Sequence, residues 1–324
     1  EHPDWAFTIP GRKPVRARYQ LVLDYSRKEV VDGIFTQIAK VLDETKADYV
    51  KMDMNRHLTD VWSKTAGEQN QGAILHRYML GVYDFLERLH ERYPDLLIEG
   101  CSGGGGRFDA GMLYYTPQIW CSDNTDAIER VKIQYGTSFA YPSCTVGSHV
   151  SAVPNHQTGR TTELATRAAV AMAGSFGYEL DLNLLTEEEK EQVRAQIKNY
   201  HRFEMLIRQG RYYRLTDVWQ KKEYAAWEYC RPDGSEALVT VVTLDTQCNP
   251  ATEYVKLRGL GEDKKYRVEV VGMQTGGENG QRINGTPNSV EPKYFTGAQL
   301  VYAGVPVPRL GNEYKSWQVY VKEV

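Results

Sequence analysis

The sequence predicts an α/β domain built on a parallel sheet, followed by an antiparallel β-sandwich-like domain. Through residues 1–209, short β-rich runs alternate with segments of helical period. The strands of that stretch lead into polar, glycine-rich loops, which puts a site at the C-terminal ends of parallel strands. From about residue 210 helical period vanishes, and short strands follow one another between Gly, Asp, Asn and Pro.

In order, LVLDYS (21–26) reads as a strand. KEVVDGIFTQIAKVLDETK (28–46) reads as a helix with Val30, Ile34, Ile38 and Val41 or Leu42 on one stripe. ADYVKMD is the next strand. ILHRYMLGVYDFLERLHERY is an amphipathic helix with Leu80, Val82, Phe85 and Leu89 toward the core. DLLIEG and PQIWCS are strands, and DAIERVKIQYGTSFAY a helix. TVGSHVSAV is a strand that runs into the loop PNHQTGR. TTELATRAAVAMAG is a helix opened by a threonine cap, and SFGYELDL a strand. The last helix, 186–209, starts with a capping box from Thr186 to Glu189 and stops at Gly210. Beyond it YYRLTD, YAAWEYC, EALVTVVTL, YVKLRGL, YRVEVVG, AQLVYAG and SWQVYVKEV read as strands of a packing or accessory domain. About five strand–helix units are visible, whereas a closed barrel needs eight. Either the sheet is open and doubly wound, or the first barrel units lie outside this chain. The start EHPDWAFTIP, without Met or signal-peptide pattern, favours the second.

Bulk composition narrows the function. The 39 basic and 42 acidic residues give a net charge of −3, no surplus with which to neutralise phosphates, so nucleic acid is not expected as a partner. No apolar run approaches the ~18 residues of a membrane span. Five cysteines without a CxxC argue against a disulfide framework or structural zinc, and free thiols suit a reducing compartment, so the cytoplasm is expected. The 22 tyrosines and 6 tryptophans suit sugar stacking and core packing alike.

Three stretches carry residue types that do chemistry. In YVKMDMNRH, alternation puts Lys51, Asp53 and Asn55 on one face of a strand and Met52 and Met54 on the other. An ammonium, a carboxylate and an amide near a strand's C-terminal end are a catalytic cluster or a buried, satisfied ion pair. In IWCSDNTDAIER, Ile119, Cys121 and Asp123 share a face just past another strand. Asn124 or Thr125 caps the next helix, with Asp126 in its first turn, and Asp123 has a loop or cap role as its competing reading. Two strand-end carboxylates can divide glycoside hydrolysis between nucleophile and acid/base, with Trp120 and the first carboxylate available to raise the second's pKa. In IEGCSGGGGRFDAGM, Gly103–Gly106 lack both the P-loop lysine and the spacing of a dinucleotide fingerprint. They are a turn, or let the backbone and Cys101 approach a small ligand closely. His149 and His156 have no third ligand at a familiar spacing and read as loop histidines. Arg18, in VRARYQLVLD, is a surface charge or a substrate clamp.

Taken in order, YVKMDMNRH, CSGGGGRFDAGMLYYTPQIWCSDNTDAIER and GSHVSAVPNHQTGR resemble glycoside hydrolase family 36, the larger microbial α-galactosidases. The similarity spans nearly all of residues 1–209 and continues into the β region. The family reads Lys-Trp-Asp-Met-Asn where this chain has Met52 for the Trp, and the pleat turns position 52 away from the pocket. The resemblance implies a partial (β/α)8 barrel, about strands 4–8, over residues 1–209 and an antiparallel β-sandwich over 210–324. It implies Asp53 as nucleophile and Asp123 as acid/base of a retaining exo-α-galactosidase acting on raffinose-type oligosaccharides or melibiose. Arg18, Lys51, Asn55, Cys101 and Gly104 match positions that hold galactose, and neither metal nor organic cofactor is implied. Family chains are roughly twice this long, with a β-sandwich and further pocket residues upstream. This chain is therefore expected to need an N-terminal part of the same enzyme, and the intact enzyme to be tetrameric. Competing expectations are α-N-acetylgalactosaminidase or transglycosylase activity within the family, or a non-catalytic carbohydrate-binding fragment.

Overall fold

A computed structural model describes residues 2–246, 251–273, 293–307 and 313–324; Cys248 lies outside them. The chain forms two compact units, residues 1–123 and 124–324.

The first unit holds helix α1 (Lys28–Thr45), strand β1 (Tyr49–Met52), helix α2 (Ile74–Arg92), strand β2 (Leu97–Gly100), helix α3 (Ala110–Tyr115) and strand β3 (Gln118–Trp120). β1 runs parallel to β2, and β2 to β3. One face of this sheet packs on the helices through Val31, Leu42, Tyr78, Val82, Phe85, Leu86, Ile98 and Ile119. Full burial of each large side chain is worth about 1.5–3 kcal/mol. Two predicted stripes shift. Leu80 is 52% exposed, and Ile74, Tyr78 and Leu86 take the core positions of α2. On α1, Ile38 and Val41 face solvent while Ala39 and Leu42 are buried.

LVLDYS is not a strand. Its backbone makes a single bridge, Ala6 to Leu23, flanked by Phe7 N–H donating to Val22 O (2.9 Å) and Asp24 N–H to Trp5 O (2.7 Å). Val22 is nevertheless buried in the core, so the apolar signal was real and only the ladder is missing. α3 was not foreseen. Asp109 caps it, accepting from Met112 N–H at 2.9 Å.

The second unit begins with helix α4 (Ala127–Thr137), the parallel strands β4 (Val146–Ser151) and β5 (Ser175–Glu179), helix α5 (Leu164–Ala171) and helix α6 (Glu187–Gln209). The α6 capping box is formed in both directions between Thr186 and Glu189. The threonine cap of α5 is not: Glu163 occupies the cap position with extended backbone and makes no side-chain cap bond. α4 is capped by Asp126, accepting from Ile128 N–H, rather than by Asn124 or Thr125. The five parallel strands and their helices are part of a (β/α)8 barrel.

The remainder of the unit is antiparallel. Strands β6 (Arg211–Arg214), β7 (Tyr224–Cys230), β8 (Glu236–Thr243), β9 (Tyr254–Val255), β10 (Lys265–Met273), β11 (Lys293–Thr296), β12 (Val305–Pro306) and β13 (Ser316–Glu323) make a six-stranded sheet, ordered β11-β10-β13-β8-β7-β6, and a β12-β9 pair. All seven residues of β7 are buried. Ala225, Trp227 and Tyr229 face a core shared with α5 and α6, while Tyr224, Ala226 and Cys230 face one shared with Val255, Leu257 and Val305. AQLVYAG is not a strand. Gln299–Ala303 is a wide helical turn, opened by reciprocal bonds between Thr296 and Gln299.

The second of these cores contains a carboxyl. Glu228 is fully buried on β7, accepts one hydrogen bond from Arg258 N–H (2.8 Å), and leaves Oε1 without a partner. Burial pushes its pKa up to about 8. The folded state thus keeps a proton that the unfolded chain releases from about pH 4.5, so Glu228 makes stability fall as pH rises from about 4.5 to about 8. The slope reaches at most about 1.4 kcal/mol per pH unit. Urea unfolding of Glu228→Gln across this range should show a shallower decline than the parent and a higher midpoint at pH 8. Parallel pH profiles would count against the buried, neutral carboxyl.

Candidate active site

The polar face of the first unit's sheet is built by its register. β1 and β2 pair Lys51 with Glu99 and Met52 with Gly100. The ladder continues past both strands, with Cys101 N–H donating to Met52 O (2.9 Å) and Met54 N–H to Cys101 O (3.2 Å), which seats Cys101 beside Asp53. Met52 and Met54 pack on the helix-side core. Lys51, Asp53 and Asn55 take the opposite face, where Asn55 Nδ2 donates to Asp53 Oδ2 at 2.6 Å. The Cys101 thiol also donates to Asp53. Burial first, then this bond and the negative charge, push the thiol up to about 11, against the opposing pull of Gly104 N–H and Lys51. Cys101 is therefore a protonated donor and not a nucleophile at neutral pH. Two donors thus fix the direction of the Asp53 lone pairs.

Beneath them sits a residue that sequence reasoning missed. Glu99 is 1% exposed. Its Oε2 accepts from Tyr49 Oη and, at 2.7 Å, from Gln118 Nε2, and its Oε1 lies 3.4 Å from Lys51 Nζ. The Lys51 ammonium also stands 4.7 Å over the Trp120 ring. The signal was present, since Glu99 and Cys101 alternate on β2 as Lys51 and Asp53 do on β1.

Arg18 enters from a turn. Ala17–Gln20 closes through Gln20 N–H to Ala17 O (3.0 Å), with Arg18 and Tyr19 both at positive φ, 52° and 62°. Non-glycine residues rarely adopt that region. Buried Arg56 holds the segment, donating to Val15 O, Gln20 O and His57 O, and Asp60 accepts from Arg12 and from Val15 N–H. Arg56 was likewise missed. Arg18, Asp53 and Asn55 line a cleft of about 370 Å³ with Arg107, Tyr25 and Tyr78; Met52 and Met54 border it too, so position 52 does not turn away from it as expected, and Lys51 stands outside its lining.

Asp123 is reached differently from the expectation. Ile119 packs in the helix-side core and β3 ends at Trp120, so the pleat does not carry through Cys121 to Asp123. The segment is instead located by close backbone approach. A Cβ on Gly104, whose φ is +83°, would stand 2.8 Å from Ser122 Cα and 3.0 Å from Asp123 N. Gly103 N–H donates to Asn55 Oδ1 at 3.1 Å and Ser102 Oγ to Met54 O at 2.9 Å, tying the glycine loop to the end of β1. In the second unit, His149 Nδ1 lies 3.7 Å from Glu179, and His156 is exposed on a loop.

Comparison with known proteins shows the family and the fold. Residues 1–210 match the family model described as Melibiase, and residues 224–321 the glycosyl hydrolase family 36 C-terminal domain. The bifunctional α-galactosidase/sucrose kinase AgaSK of Mediterraneibacter gnavus is 54% identical over 100% of this chain and 31% of its own length. The α-galactosidase AgaA of Geobacillus stearothermophilus is 44% identical over 100% of this chain and 41% of its own. A crystal structure of an AgaA variant with raffinose superposes at a TM-score of 0.90, with 43% identity, covering 100% of this chain and 42% of that one. The galactosidase domain of AgaSK gives 0.88 with the same full coverage of this chain and 41% of that one. The chain thus spans 31% and 41% of the length of these two curated relatives.

Gly104→Ala should lower the unfolding free energy by about 1–3 kcal/mol, because the new methyl meets backbone on an already left-handed residue. Gly72→Ala, where no atom lies within 4 Å, serves as the control. Equal urea midpoints for the two variants would mean that the loop and the Asp123 segment are not in close contact.

Proposed function

Because the chain belongs to the melibiase family of glycoside hydrolase family 36, we propose that it carries the nucleophile and acid/base of a retaining exo-α-galactosidase. Its substrates are terminal α-galactosides such as raffinose, stachyose and melibiose. The observation that carries this reading is Asp53, held by Asn55 and Cys101 at the end of β1, in a cleft with Arg18 and two positions from Lys51. A second observation supports it. In AgaA, the aspartates substituted in the raffinose-bound and stachyose-bound variants stand 70 positions apart, the spacing of Asp53 and Asp123.

In the first step an Asp53 oxygen bonds to the anomeric carbon as the glycosidic C–O bond breaks, and the Asp123 carboxyl gives its proton to the departing oxygen. In the second, Asp123 removes a proton from water, whose oxygen displaces the Asp53 ester and releases galactose. Arg18, Lys51, Asn55 and the Gly104 loop hold the sugar hydroxyls. Residues 1–209 are the catalytic barrel portion and 210–324 the accessory β domain. The five parallel strands and the partial coverage of relatives support a need for the N-terminal part of the same enzyme. The assembled enzyme is a cytoplasmic tetramer. The four described cysteines are free, as a reducing compartment allows.

Hydrolysis of nitrophenyl α-galactoside should be weak for the chain alone and restored when an N-terminal part is supplied. A 2-fluorogalactosyl label should add its mass to the peptide holding Asp53, and labelling of another peptide would overturn the assignment. Asp123→Ala should cost raffinose turnover about 10²–10⁴-fold and spare an activated nitrophenyl substrate, which needs little protonation. Equal losses on both substrates would remove the acid role.

A further inference from the structure

We infer that Glu99 is a positioning residue for galactoside binding: its buried carboxylate holds the Lys51 ammonium in place, two positions from Asp53, without taking a hydrogen bond from it. This rests on the α-galactosidase reading above.

A carboxylate 1% exposed is costly unless its charge and lone pairs are matched. Glu99 Oε2 is matched by two neutral donors, Tyr49 Oη and Gln118 Nε2. Among the described residues, Oε1 accepts no hydrogen bond. What faces it is the Lys51 ammonium at 3.4 Å, an ion-pair distance, longer than the about 2.7–2.9 Å of a charge-assisted hydrogen bond. The ammonium also stands over the Trp120 face, 4.7 Å from the ring centroid. Carboxylate and ring both attract a cation, and Glu99 Oε1 takes no hydrogen bond from it. The ammonium of Lys51 is therefore located by charge, and the N–H groups turned away from these two neighbours stay available for sugar hydroxyls. The register makes this placement obligatory: Lys51 pairs with Glu99 two positions below Asp53, and Cys101 lies two positions beyond Glu99. β2 thus supplies one partner to each functional side chain of β1, an anion under the cation and a thiol donor beside the carboxylate.

A purely structural role for Glu99 would lie in its bonds to Tyr49 and Gln118. Glu99→Gln keeps an acceptor for both but removes the charge and turns an amide toward Lys51. Glu99→Asp keeps the charge and withdraws it by one methylene. The assay is nitrophenyl α-galactoside hydrolysis by the chain with its N-terminal part, with melting temperature followed in parallel. Glu99→Gln should raise KM about tenfold with a smaller change in kcat, and Glu99→Asp should raise it only two- to threefold. In a Lys51→Met background Glu99→Gln should change KM less than twofold, because the residue it acts through is gone. Unchanged KM in Glu99→Gln, equal effects of Gln and Asp, or the same increment with and without Lys51 would each overturn the inference. If the parent fails to hydrolyse the galactoside, or the fluorosugar misses Asp53, the functional reading falls first and this one with it.

Discussion

The register of the β1–β2 ladder is the constraint on which the site depends. Side chains alternate with a period of two, so a slip of one residue would send Lys51, Asp53, Glu99 and Cys101 into the helix-side core and Met52 and Met54 to the polar side. The core prevents this. Met52 and Met54 pack against the same cluster as Ile98 and Ile119, and the apolar residues of α1 and α2 close over them. The packing that stabilises the unit and the alignment that pairs Lys51 with Glu99 are therefore one property, read on two faces of the same strands.

The strands supply alignment, but the groups beyond their ends are located by backbone. Asn55 couples the two modes: its amide nitrogen donates to Asp53 and its oxygen accepts from Gly103 N–H. Gly104 then approaches Ser122 and Asp123 at a distance no side chain permits. On the other flank, Arg56 spends its donors on backbone carbonyls of the 15–20 segment, which carries the left-handed pair Arg18 and Tyr19. Strain of that kind persists only where neighbours over-determine it, and here the neighbours are a buried guanidinium and the buried carboxylate of Asp60.

Much of this was legible in the residues. Helical period located α1, α2, α4 and α6, and alternation separated Lys51, Asp53 and Asn55 from the two methionines. The misreadings have physical causes. LVLDYS has β-rich composition, but its partners are two or three backbone groups near Trp5, too few for a ladder. AQLVYAG looks like a strand until Thr296 and Gln299 are seen as a reciprocal cap, a three-residue spacing that outranks the apolar run. Asp126 took the cap of α4 because its carboxylate also anchors Thr158 and Arg160, contacts distant in sequence. Glu99 went unnoticed because one acidic letter in a strand means little until the facing strand is known.

Two buried glutamates show why burial of a charge does not by itself mark a functional site. Glu228 lies between β7 and the segment holding Arg258, meets one backbone N–H, and is surrounded by valine, leucine and tyrosine. Burial there favours the neutral acid and outweighs both the backbone N–H and the charge of Arg258. Glu99 is as deeply buried, yet it faces an ammonium that also stands over an aromatic ring, two residues from a carboxylate that lines a cleft. The first arrangement orders a core. The second presents a located cation to whatever enters beside Asp53, and only a ligand with hydroxyls or negative charge would profit from it. The residue type and the burial are the same in both. The difference lies in what the facing strand supplies, and that is decided by register.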